Sequence, residues 1–330
     1  MNELLLPAIA LLIGLVLLVK SADIFIEGAA STAIHLNVST LIIGVLVLGF
    51  GTSMPEVIVS ILAALDHAPE LAVGNAIGSN IANVGLVLGA TALLTPVMVQ
   101  SGVLRRELPL LLVITILAGL LLLDGELQRI DGILLLLGLF GSMAWMIHIN
   151  RQSEPTDPLE QEIQHELQEV ARIPLKKALI WTIGGLIVLM LSARMMVWGA
   201  VEIADIFGVS EAIIGLTIVA IGTSLPELAA GITAARKGEA DLMLGNILGS
   251  NMFNLLAVMA MPALIYPASL NGDIIVRDYP IMLGFTLAML IFALPRPGRP
   301  AHINRLEGAL LMGAFFGYLL LLYFATVKTL

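Results

Sequence analysis

Cysteine is absent from all 330 residues of this chain. Disulfides and thiolate metal centres are therefore excluded. Charge is almost as scarce, at 12% of residues, with sixteen Lys and Arg against twenty-five Asp and Glu. That balance leaves no basic face for nucleic acid. Aromatic residues make up 5%, and the five histidines, His35, His67, His148, His165 and His302, show no metal-ligand spacing. A zinc centre is not expected.

What fills the chain instead is apolar: 58% of residues are hydrophobic and the mean hydropathy is +1.00. Ten apolar runs recur, at roughly 4–30, 38–65, 70–95, 106–123, 131–149, 175–205, 210–235, 241–266, 278–294 and 305–325. Crossing a hydrocarbon layer of ~30 Å takes about 20 such residues in a helix, so each run predicts one membrane crossing. The runs longer than that must tilt, bend or protrude. The amino-terminal stretch MNELLLPAIALLIG lacks the basic region of a cleavable signal and is expected to stay as the first helix. The one strongly acidic stretch, 150–172, reads as a solvated connector with a weak apolar stripe at Leu159, Ile163, Leu167 and Val170.

Lysine and arginine set the expected orientation, because loops on the cytoplasmic side collect them. With the amino terminus outside, inner loops receive Arg105, Arg106, Arg151, Arg172, Lys176, Lys177, Arg236, Lys237, Arg296, Arg299 and Arg305, and outer ones Arg129, Arg277 and Lys328. Both termini are thus expected on the periplasmic or exterior face.

Shifting the sequence by 171 positions lays its second half on its first without a gap. Segment 38–83 falls on 209–254, with "GTSMPE" (51–56) on "GTSLPE" (222–227) and "GNAIGSNIAN" (74–83) on "GNILGSNMFN" (245–254). Five predicted helices separate equivalent points. Because five is odd, the halves are expected to cross the membrane in opposite senses, an inverted repeat of the kind from which secondary transporters are built. The expected organisation is a first five-helix repeat at 1–149, an acidic cytoplasmic connector at 150–174 and a second five-helix repeat at 175–330.

The two GTS-x-PE segments interrupt the apolar runs that contain them. Pro55 and Pro226 have no N–H, so the carbonyls of Gly51 and Gly222 lose their helical partners. Irregular backbone at membrane depth is tolerated where it is packed in protein or lines a polar cavity. Proline, serine and glycine in such helices often serve as kinks and packing points alone. A glutamate in each copy argues for more, since a carboxylate at mid-membrane costs about 2.5–3.5 kcal/mol until a cation or proton compensates it. Asn75, Ser79 and Asn83 lie at i, i+4 and i+8 on one helical face, as do Asn246, Ser250 and Asn254. Gly74 with Gly78, and Gly245 with Gly249, give small-xxx-small seams for close helix approach. Hydroxyls, amides, carbonyls and two glutamates form an all-oxygen set suited to hard cations such as Ca²⁺, Na⁺ or Mg²⁺.

With these paired motifs the chain resembles the sodium/calcium exchanger family of Ca²⁺:cation antiporters over essentially its full length. The resemblance implies an all-α membrane protein of ten transmembrane helices in two inverted-topology five-helix repeats, with broken helices at the core. It also implies alternating access in which the first helix of each repeat slides against a core bundle. By motif, Glu56 and Glu227 resemble the family's central Ca²⁺ ligands, completed by the carbonyls of Thr52 and Thr223. Ser53, Ser79, Ser224 and Ser250, with the carbonyls of Gly49 and Ala220, match its flanking Na⁺ positions, and Asn83 matches an asparagine of its first repeat. Asn254 stands where the family usually carries an aspartate, which removes one negative charge.

The expected function is exchange of Na⁺ for Ca²⁺ across the inner (cytoplasmic) membrane. The two ions would be substrates competing for shared oxygen ligands, with the lipid bilayer as surroundings. No enzyme activity, cofactor, nucleic acid or obligate protein partner is expected. A proton-coupled exchanger of Ca²⁺ or another divalent cation is the alternative. A passive channel fits poorly with paired buried glutamates, and hydrolysis at Ser53 or Ser224 lacks an adjacent base. Asp23, at the repeat position of Arg194, is expected to pair within its own helix with Lys20.

Overall fold

The computed structural model describes residues 2–36, 53–99, 103–150, 173–237, 240–295 and 301–329. Apart from four two-residue strands, the regular structure among them is helical. Helix α1 spans Asn2–His35, α2 Met54–Leu65 and α3 Pro69–Leu94. Strand β1 (Val97–Met98) follows, then α4, π-helical over Val103–Glu107 and α-helical over Leu108–Leu121, β2 (Glu126–Leu127) and α5 (Arg129–Asn150). Beyond the connector come α6 (Leu175–Phe207), α7 (Glu211–Thr223) and α8 (Leu225–Lys237). Helix α9 begins at Ala240–Phe253 and continues to Ile265, and β3 is Ala268–Ser269. Helix α10, π-helical over Ile274–Asp278 and α-helical over Tyr279–Ala293, β4 (His302–Ile303) and α11 (Arg305–Thr329) complete the chain.

Seven of these helices are long and apolar enough to cross a membrane, or eight if α7 and α8 form one bent span. Their outward faces carry the leucines and isoleucines that composition demanded: Leu12, Ile183, Leu137 and Leu320 are all exposed. Polar residues turn inward instead, as expected when the surroundings are hydrocarbon.

Elements recur at the repeat spacing. Helices α2 and α8 start at Met54 and Leu225, β1 and β3 at Val97 and Ala268, and the π-helical starts of α4 and α10 at Val103 and Ile274. Within α3 and α9, π-helical turns occupy Asn83–Leu88 and Asn254–Val258. The strands pair across the halves, β1 with β4 and β2 with β3, both antiparallel. Further links cross in the same way: Tyr279 donates to the carbonyl of Thr115 at 2.6 Å and Thr95 to that of Ala235 at 3.1 Å. Neither half packs as an independent globule.

Helices α1 and α6 lie antiparallel along each other, meeting at glycines. A Cβ added at Gly28 would come within 2.5 Å of the Thr182 amide nitrogen, and one at Gly14 within 2.9 Å of the Ser192 carbonyl. Gly199 meets the Pro7 carbonyl in the same way and Gly185 the Phe25 amide. With α2 these helices enclose a smaller apolar core around Leu18, Leu71, Leu189 and Met196. The larger core, around Ile77, Leu111, Ile247 and Met289, sits among α3, α4, α9, α10 and α11.

Candidate cation site

Helices α7 and α8 meet at a 42° bend centred on Ser224, two residues before Pro226. Ser224 has φ −86° and ψ 4°, and Ser53, at the start of α2, has φ −90° and ψ 4°. The two halves thus make the same local break where proline removes a backbone donor. The break aims Glu227 and Glu56 into the protein: both are fully buried, as are Ser53, Ser79, Asn83, Thr223 and Asn254.

Helices α3 and α9 bring the amides and remaining hydroxyls. Gly74 and Gly78 let α3 press on α7, where added Cβ atoms would lie 2.5 Å from the Ala212 carbonyl and 2.6 Å from that of Leu216. The seam expected from their spacing therefore faces the other half's broken helix. Gly245 and Gly249 meet nothing within 4 Å among the described residues. Their counterpart contacts would fall in 41–49, outside those residues.

Hydroxyls and amides then join the halves. Ser53 Oγ lies 2.9 Å from Ser250 Oγ, which donates to Glu227 Oε1 at 3.5 Å. Asn83 Nδ2 donates to Ser250 Oγ at 3.3 Å and to Asn251 Oδ1 at 3.1 Å. On the other side, Ser79 Oγ lies 3.4 Å from Thr223 Oγ1, and Thr223 donates to Asn75 Oδ1 at 3.3 Å. Asn75 Nδ2 is 3.5 Å from the Glu56 carbonyl. Glu56 lies close enough to Glu227 for their charges to interact, and its carboxylate oxygens have no hydrogen-bond partner among the described residues. Two acids that repel each other with lone pairs in reserve form a place where positive charge is favoured.

Of the residues singled out in the sequence, Glu56, Glu227, Ser53, Ser79, Ser250, Thr223 and Asn83 are drawn into this one cluster. Ser224 Oγ and both amide atoms of Asn254 are buried without a hydrogen-bond partner. The Ala220 carbonyl already accepts from Thr223 Oγ1 at 3.3 Å and from the Ser224 amide at 3.1 Å. Thr52 and Gly49 lie outside the described residues. No group of three or more Asp, Glu, His or Cys side chains placed to hold a metal ion occurs among the described residues, so the acidic ligands of this cluster are its two glutamates. Asn80 and Asn251 also belong here, Asn80 Nδ2 donating to the Asn251 carbonyl at 3.2 Å. They fall off the i, i+4, i+8 face, and the signal that marks them is their identity at the repeat spacing.

Arg194 on α6 reaches across to Asp66, just past α2, at 3.0 Å, while Arg277 pairs locally with Asp278 at 2.8 Å and with Asp273 at 3.0 Å. A pair between Lys20 and Asp23 is not formed.

Comparison with known proteins follows the same lines. The family model described as sodium/calcium exchanger protein matches residues 6–148 and 177–324. The putative antiporter CaxA of Alkalimonas amylolytica is 47% identical over 319 residues, covering 97% of this chain and 99% of the relative. Inner membrane protein YrbG of Escherichia coli is 44% identical over 330 residues, with 97% of each chain covered. Among solved structures, the sodium-calcium exchanger NCX_Mj soaked with Na⁺ and Sr²⁺ superposes with a TM-score of 0.61 at 30% identity, over 99% of both chains.

Proposed function

This chain belongs to the sodium/calcium exchanger family, and on that premise we propose that it exchanges Na⁺ for Ca²⁺ across a bacterial inner membrane by alternating access. One observation carries the reading: Glu56 and Glu227, contributed by different halves, enter one buried cluster whose hydroxyls touch across the halves at Ser53 and Ser250. A Ca²⁺ ion would balance the two carboxylates and take six to eight oxygens from Glu56, Glu227 and the carbonyls of Thr52 and Thr223 with their neighbours. Several Na⁺ ions would use the same glutamates together with Ser53, Ser79, Ser224, Ser250, Asn83, Asn254 and the carbonyls of Gly49 and Ala220. The two loads compete for shared ligands, which couples their fluxes.

The recurrence of elements at the repeat spacing supports ten crossings in two inverted five-helix repeats, 1–149 and 175–330, and the Lys and Arg asymmetry of the loops supports both termini outside. The helices that move are α1 and α6, set against the bundle that holds the glutamates.

Radioactive calcium uptake into Na⁺-loaded proteoliposomes tests the site. Glu56→Gln and Glu227→Gln should each abolish exchange while inserting normally, because one carboxylate cannot compensate a divalent ion. Full exchange in either variant would refute the assignment. Neutral Asn254 favours one second reading, coupling to protons, since it leaves the site with two acids that two protons would neutralise. Calcium uptake driven by a pH gradient with sodium removed decides between them.

A further inference from the structure

Three buried polar bonds made on one side of the pseudo-two-fold have counterparts on the other that are left open. Asn83 Nδ2 donates to Asn251 Oδ1 at 3.1 Å. Its counterpart 171 positions on would join Asn254 Nδ2 to Asn80 Oδ1, and both atoms are buried without a partner. Asn80 Nδ2 donates to the Asn251 carbonyl at 3.2 Å, whereas Asn251 Nδ2, which would donate to the Asn80 carbonyl, has no acceptor. Ser53 Oγ meets Ser250 Oγ at 2.9 Å, while Ser224 Oγ, the counterpart that would meet Ser79, makes no hydrogen bond. Three bonds are formed, and their three mirror images are open.

A bound cation does not explain the open set. Cations take oxygen, and two of the open atoms, Asn251 Nδ2 and Asn254 Nδ2, are amide nitrogens that need an acceptor. Leaving a buried donor unmet is costly, and the acceptors that fit are Asn80 Oδ1 and the Asn80 carbonyl in a second arrangement of α3 against α9.

We propose that Asn251 and Asn80 are alternating positioning residues: Asn251 orients Asn83 in the state described here, and Asn80 orients Asn254 in the state facing the opposite side. The bonds on one side break as their mirror images form. This rests on the exchanger reading and adds to it a pair of residues that touch no cation. With Nδ2 held by Asn251, Asn83 Oδ1 is left without a hydrogen bond and able to face a cation, and Asn80 would give Asn254 the same posture after the switch.

The test is the ratio of apparent KM for calcium at the two membrane faces, measured in oriented proteoliposomes. Removing an interaction special to one state lowers its population and raises apparent KM at the face to which it opens. Asn251→Asp keeps the oxygen to which Asn83 donates and loses the Nδ2 that only the opposite state uses, whereas Asn80→Asp loses the Nδ2 used in the state described here and keeps the oxygen for Asn254, so the two should change the ratio by about five-fold in opposite directions and the double variant should restore it. A second measurement needs no flux. Spin labels on cysteines placed at Leu65 and Trp198 of this cysteine-free chain report the separation of α2 from α6, and the two aspartate variants should shift its populations oppositely. Shifts in the same direction, or none, would overturn the alternation while wild-type calcium exchange left the exchanger reading standing. Absence of wild-type exchange would take down both.

Discussion

Asn254 shows how much one neutral side chain decides. It is fully buried at the π-helical turn of α9, and neither amide atom is hydrogen-bonded. Replacing it with aspartate adds a third carboxylate to a cluster that has two. Asn254→Asp should therefore tighten divalent binding, on the order of ten-fold at close range in a partly polarisable interior. Calcium titration of the purified protein in lipid nanodiscs measures this, and an unchanged affinity would show that position 254 does not face the ions. The glutamates, serines and Asn83 were legible in the sequence because two copies of a rare pattern, a glutamate beside a helix-breaking proline, stood inside apolar runs. Asn80 and Asn251 carried the same repeat signal but sat off the marked face. Helical periodicity assigns a residue to a face of its own helix and cannot report a bond that crosses to another one.

Among the elements, the α3–α7 contact is the tightest point near the cluster. Backbone meets backbone there, so no rotamer change can relieve an added methyl at Gly74, 2.5 Å from the Ala212 carbonyl and 3.1 Å from the Leu216 amide. Gly74→Ala should destabilise the protein by about 1–3 kcal/mol and depress calcium uptake by displacing α7. Gly141, also within a helix, meets nothing within 4 Å. Gly141→Ala should be neutral or stabilising by up to about 1 kcal/mol from helix propensity. Thermal unfolding in detergent compares the two, and equal effects would refute the packing argument. The GxxxG spacing announced a close approach, while its partner came from the other half, which spacing within one helix cannot name. Arg194 is a parallel case. Its bond to Asp66 spans 128 positions of the chain and is made by the fold alone.

At the level of the whole molecule, the halves are held together by more than the chain that links them. Strands β1 with β4 and β2 with β3, the Tyr279 bond to Thr115 and the amide bonds between α3 and α9 all join one half to the other. A protease site placed at 160, between the two halves, should therefore leave calcium exchange within about two-fold of the uncut protein, since all of these contacts are made by residues outside 150–172. Expression of 1–149 alone should give no stable protein. Loss of flux on cleavage would mean that the connector does more than tether. While the ten apolar runs read in the sequence stand against seven or eight candidate spans among the described residues, the helical class was visible there because hydrocarbon imposes one simple rule on a chain that crosses it. Which half touches which was not, because a shift of 171 gives equivalence without adjacency.

The glycine contacts between α1 and α6 have a last consequence. Two rods that meet main chain to main chain near both ends, at Gly14 and Gly199 and again at Gly28 and Gly185, behave as a single strut. If that strut gates the two entrances, shutting one doorway and opening the other become a single stroke, and a passage open from end to end would require the strut to split lengthwise.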